Sequence, residues 1–151
     1  MTVNFDKLLD VQCDEIKRPP HLPAGLYEGV IKNHEPIEGR FDGDTPGEKA
    51  GMIRLNIVLA EADETIPSSM REGVTVRGRQ VTKDYSIEKS KVYSLYRVLQ
   101  SLGLATEKKS LREVLPEVSN LNCKVEVTTR PDKNDPEVIY NDVKRILPLA
   151  D

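Results

Sequence analysis

The chain has no tryptophan, only five tyrosines and two phenylalanines, and only two cysteines and two histidines in 151 residues. Each scarcity excludes something. Cys13 and Cys123 are far apart, with neither C-x-x-C spacing nor a His/Cys cluster beside them, so a structural zinc site and a redox pair both drop out. Cys123 sits in an alternating apolar run and reads as a core thiol, in keeping with an intracellular chain. His21 and His34 have no second ligand at metal spacing. No stretch approaches the ~18–20 continuous apolar residues that span a bilayer, and the opening MTVNFDKLLDVQCDE carries early acidic residues and no apolar signal region. A soluble, unprocessed protein with no membrane partner is expected.

Catalytic signatures are missing as well. There is no P-loop, no G-x-S-x-G elbow, no H-E-x-x-H and no Gly-rich dinucleotide fingerprint. Charged residues make up 31% of the chain, yet no carboxylate pair is flanked by the apolar shell that would raise a catalytic pKa. The stretch from Asp42 to Glu48 has the look of a calcium loop, but its twelfth position is Ile53 and its flanks are strand-like. No enzyme activity, catalytic residue, metal or cofactor is expected.

What is present is an order of segments. Residues 1–20 form an N-terminal arm with a weakly helical patch at Phe5, Leu8 and Leu9, closed by the proline-rich KRPPHLPAG. The domain, 21–151, begins with strand-like stretches at Ala24–Glu35, Gly51–Ala60 and Val74–Tyr85. In strand one Tyr27, Gly29, Ile31 and Asn33 share a side, and Gly29 marks a bulge or tight corner. Glu38 to Gly51 reads as a long polar hairpin loop. Strand two alternates cleanly, with Ile53, Leu55, Ile57 and Leu59 facing one way. Strand three puts Arg77 and Arg79 on one side, with Gly78 as a second kink.

A helix follows, with Ser86 or Ser90 as cap, Val92, Leu95, Tyr96, Leu99 and Leu102 at helical spacing, and Gly103 in the left-handed position that ends it. Tyr96 shares the apolar stripe and is expected in the core. Ser110-Leu-Arg-Glu113 is a capping box for a short second helix ending near Pro116. Strand-like stretches at Asn122–Thr129 and Val138–Leu147 complete the chain. The fold class is mainly β: a five-stranded OB-fold, a Greek-key barrel, with a helix between strands three and four and a short second helix.

Net charge is −3, so binding to nucleic acid depends on how the charge is distributed. The strands carry Lys32, Arg54, Arg77, Arg79, Lys83 and Lys124, which can make a basic face on an acidic protein. Arg54, Arg77, Arg79 and Lys83 are the candidate phosphate contacts, Lys32 and Lys124 peripheral ones, and Tyr85 and Phe41 the candidate base-stacking rings. The bland reading pairs the arginines with carboxylates on a solvated face and packs Tyr85 under the helix.

The run PAGLYEGVIKNHEPIEG, a Gly-rich loop, GMIRLNIVLAEAD, GVTVRGRQVTKDYSI, KVYSLYRVLQSLGL, NCKVEVTTRPD and VIYNDVKRILPL resembles the single-stranded-DNA-binding OB-fold proteins of tailed bacteriophages. The resemblance covers about Pro19 to Pro148. It implies sequence-tolerant binding of unpaired DNA in phage replication or recombination, in the cytoplasm of the infected bacterial host, beside replication or recombination proteins. With few aromatics, affinity would lean on phosphate contacts and fall steeply with salt. The chain ends at Leu147–Asp151 just after strand five, so recruitment of partners through an acidic tail is not expected. The alternative is a non-enzymatic structural or protein-interaction module of a phage, a virion accessory protein or host-factor inhibitor, with the arm as a route to a homo-oligomer.

Overall fold

Alternation of apolar and polar residues, clearest in β2 and β4, builds β1 (Gly25–Asp42), β2 (Lys49–Ala62), β3 (Gln80–Ser86), β4 (Leu121–Pro131) and β5 (Ile139–Leu147). The computed structural model describes residues 3–16 and 18–149 and, at Glu15, the backbone alone. Residues 1, 2 and 17 of the expected arm and the last two residues of the tail lie outside the described residues. The strands form one antiparallel sheet in the order β3-β2-β1-β4-β5. Its two edge strands, β3 and β5, run in the same direction and approach each other. Among the described residues they exchange no ladder bonds, so the sheet is open along this seam.

One face of the curled sheet supplies the core: Tyr27 and Ile31 from β1, Ile53, Leu55, Ile57 and Leu59 from β2, Cys123, Val125 and Val127 from β4, Val143 and Ile146 from β5. Short helices pack onto it. The helix α2 (Tyr93–Ser101) buries Leu95 and Leu99, and α3 (Leu111–Val114) with the following 3-10 turn Leu115–Val118 buries Val114, Leu115 and Val118. The N-terminal α1 (Phe5–Leu9), capped by the Asn4 side chain, buries nothing.

Several local expectations hold. The Ser110 hydroxyl accepts from the Glu113 backbone N–H at 3.3 Å, the capping box read from the sequence. Gly103, at φ +87°, ends α2 in a Schellman motif, with Leu104 N–H donating to Leu99 O and Gly103 N–H to Gln100 O. Gly29 lies at a register shift of β1 against β2, and a Cβ there would stand 2.9 Å from the Val58 carbonyl oxygen.

Others are corrected. The hairpin is paired almost to its tip, leaving residues 43–48 as its loop, because Phe41 and Asp42 continue β1 and Lys49 opens β2. The third strand is shorter than its pattern, starting at Gln80. Val76 to Arg79 form a turn, Arg79 N–H donating to Val76 O at 3.0 Å, and Gly78 takes the positive φ, +84°, that its third position requires. The second helix ends at Val114, close to Pro116 as expected, and a 3-10 turn, Leu115–Val118, follows it. Neither Ser86 nor Ser90 caps α2: Ser86 Oγ accepts from Glu88 N–H, and Ser90 is bonded to Asp44. Tyr96 is 38% exposed, not core, and its hydroxyl accepts from Gln100 Nε2.

Candidate nucleic-acid interface

The open seam between β3 and β5 is a cleft of about 600 Å³. Its cations are Arg18, Arg79 and Lys83, and its carboxylates are Asp84 and Asp142. Both carboxylates are already neutralised by arginines outside the lining. Arg54 Nε bonds Asp84 at 2.8 Å, and Arg130 Nε bonds Asp142 at 2.9 Å. The cleft therefore presents uncompensated positive charge.

At Lys83 and Asp84 it runs into a wider groove of about 830 Å³ between the end of β3, α2 and the end of β5. Here Lys83, Lys91, Arg97, Lys144 and Arg145 share the lining with Tyr93, and Asp84 is the one carboxylate there among the described residues. Lys144 and Arg145 share Glu126, at 3.9 and 2.5 Å, so this pair keeps a net positive charge. Two successive cations can stand outside between buried Val143 and Ile146 because the β4–β5 register shifts there, leaving Lys144 as the extra residue of a bulge.

Each end of this path has an aromatic ring. At the seam end the Arg18 and Arg130 guanidiniums lie over the Tyr140 ring, 4.4 and 5.1 Å from its centroid, two cation–π contacts. The backbone beside Arg18 is pinned: Arg79 donates to Pro20 O at 2.5 Å, and Asn141 exchanges two hydrogen bonds with the Leu22 backbone at 2.8 and 2.9 Å. At the other end Lys91 and Ser86 also line a small pocket of about 200 Å³ beneath the hairpin tip, where Phe41 is 79% exposed. Glu88 ties that tip down by accepting from the backbone N–H groups of Asp44 and Gly51. Asp44 accepts from the backbone N–H and the hydroxyl of Ser90, and these bonds hold its carboxyl below the usual range.

The seam gathers only part of the set expected from the sequence. Lys83 faces Leu55 in the β2–β3 register, on the inward parity of Tyr85, and so projects into the seam. Its ammonium is 5.6 Å from the Tyr85 ring centroid. Arg79 lies at the seam, while Arg77 is exposed in the turn and shares no strand face with it. Arg54 is on the outer face of β2, opposite Asp84, and its doubly bonded ion pair keeps it protonated and engaged. With Glu35 beside that pair, the outer face offers phosphate little attraction. Tyr85 is only 7% exposed, and burial pushes its hydroxyl up to about 12; it is a floor and not a stacking platform. Lys124 bonds Asp63 at 3.0 Å on β4, and Lys32 stands exposed at a second register shift of β1. Neither borders the path.

Sequence reasoning missed Arg18, Lys91, Tyr93, Arg97, Tyr140, Lys144 and Arg145. The signal for the last two was the broken alternation Val143-Lys-Arg-Ile146. Among the described residues no group of three His, Cys, Asp or Glu side chains could hold a metal ion, and no helix is long and apolar enough to cross a membrane. Compared with known proteins, the sequence matches no family model and no curated protein.

Proposed function

We propose that this chain is an OB-fold protein that binds single-stranded DNA without catalysis, and that it serves phage DNA replication or recombination in the infected bacterium. One observation carries the reading: an acidic protein leaves one sheet seam unpaired and lines it with cations whose neighbouring carboxylates are neutralised elsewhere. The strand order supports the OB-fold, because parallel neighbours β3 and β5 are the pair that would close such a barrel, and that barrel is commonly only partly closed.

The path suits a single strand. Along β3 it runs about 20 Å, at ~3.3 Å per residue, which holds roughly the four nucleotides at the lower end of OB-fold site sizes. Arg79, Lys83, Lys91 and Arg97 would take phosphates, while Tyr140, Tyr93 and Phe41 offer ring faces to unpaired bases at ~1–3 kcal/mol each. Arg18 would remain stacked on Tyr140 or move aside to a phosphate. A duplex keeps its base faces stacked internally and gains only the phosphate contacts, so preference for the unpaired strand follows.

The test is photo-crosslinking of the full chain to bromodeoxyuridine oligonucleotides, with the attached peptides identified by mass spectrometry. Crosslinks at Tyr93, Tyr140 or Phe41 support the seam. Crosslinks confined to the outer face of β1 and β2 around Asn56 would move the site, and none at all would remove DNA as the ligand.

A further inference from the structure

Among the described residues, two exposed apolar surfaces match each other. The first is α1, where Phe5, Leu8 and Leu9 fall at i, i+3 and i+4 on one helical face and are 66%, 64% and 77% exposed. The second is a groove of about 380 Å³ between α2 and α3, floored by Val92, Leu99, Leu111 and Val114 and walled by Tyr93 and Tyr96. These two rings meet at 6.1 Å between centroids and remain 65% and 38% exposed.

Their charges are opposite. Asp6 in the first turn of α1 and Asp10 at its C-cap stand against Lys7, whereas the groove rim carries Lys89 and Lys109. Lys109 has a carboxylate nearby, Glu117 at 3.7 Å, but an exposed pair at that distance holds it only weakly. A short amphipathic helix presenting i, i+3, i+4 anchors to an apolar groove is a recurrent way of joining chains.

We propose that α1 of one copy docks in the α2–α3 groove of a second copy. The contact is heterologous, since the patch and its receptor are different surfaces. It closes if two copies exchange arms reciprocally and propagates if each copy passes its arm to the next. The arm is held at Pro20 by Arg79 and at Leu22 by Asn141, so 10 residues separate the nearer anchor from Leu9, a leash of up to about 36 Å when extended. Because Tyr93 lines both this groove and the basic groove beside it, arm docking and strand binding meet at one residue.

The test needs no DNA. Two full-length variants are prepared, Leu8→Ser with its groove intact and Tyr96→Ser with its arm intact, and their molar masses are measured by light scattering alone and as an equimolar mixture. Unmodified protein is expected to exceed the mass of one 17.0 kDa chain as its concentration rises into the tens of micromolar, and each variant alone to associate at least tenfold more weakly. The mixture regains a two-chain species, because the intact arm of one fits the intact groove of the other. Far-UV circular dichroism confirms that both variants are folded, and Lys109→Glu paired with Asp10→Lys recovers association that either change alone weakens. A mixture that stays monomeric while the unmodified protein associates overturns the proposal, as does an unmodified protein that is monomeric throughout.

Discussion

Neutralising Lys83 and Arg97 together, as Lys83→Gln and Arg97→Gln, would test the basic seam most sharply. Both side chains line the groove, and among the described residues neither belongs to an ion pair. Seven cations border the path, and Glu126 offsets one of Lys144 and Arg145, leaving about six to act on phosphates. With a salt slope of about −0.7 per phosphate contact for single strands, the unmodified protein should show a log–log slope near −4. That is a loss of roughly 300-fold in affinity between 50 and 200 mM salt. Removing two contacts brings the slope to about −3 and the loss to roughly 50-fold. At low salt the pair should also cost about 1–2 kcal/mol, a factor of roughly 5 to 30 in Kd. Fluorescence anisotropy with labelled oligo-dT over a salt series reads both quantities. An unchanged slope and affinity in a folded double variant would refute the seam as the phosphate path. Arg77→Ala, in the turn, should leave the slope as it was.

The two tyrosines expected to differ most provide a second check: Tyr140→Leu should weaken oligo-dT binding by about 1–3 kcal/mol with an unchanged Tm, whereas Tyr85→Leu should lower stability by about 1–3 kcal/mol and leave affinity intact. Gly29→Ala, whose Cβ would crowd the Val58 carbonyl oxygen at 2.9 Å, should lower Tm with a cost of about 1–3 kcal/mol in chemical denaturation. Because the folded carboxyl of Asp44 titrates below its ordinary value, the stability it contributes to the hairpin tip is present above that value and is lost as pH falls through the lowered one. Exchange at the Ser90 amide should therefore speed up in acid below about pH 4, and Asp44→Ala should remove that pH step. Burial raises the Cys123 thiol to about 11 while Cys13 is exposed, so alkylation at pH 8 should modify Cys13 in the native protein and reach Cys123 only on unfolding.

How far the sequence carried depended on whether a signal was local. Alternation in Ile53–Leu59, the Ser110–Glu113 box and the stop at Gly103 each depend on residues within a turn or two, and all three appear in the fold. The arginine cluster was not local. Arg54 and Asp84 lie 30 residues apart and became partners only through the β2–β3 register, which leaves one of the four candidate phosphate contacts engaged in an ion pair. Gly78 reads as a kink within the strand, and its positive φ instead makes it part of a turn that separates Arg77 from the strand. The bulge at Lys144 shifts the alternation at the end of β5, so Lys144 and Arg145 both point outward. Arg18 and Tyr140 meet because Asn141 draws Leu22 onto β5 across 119 residues, a contact without any sequence signature.

The most direct measurement is fluorescence anisotropy of the full chain with a labelled oligo-dT of about 30 nucleotides, a length of several OB-fold sites, against the matching duplex at low and physiological salt. Micromolar or tighter binding that favours the single strand and weakens with salt is expected. Equal affinity for both forms, or no binding even at low salt, would contradict it.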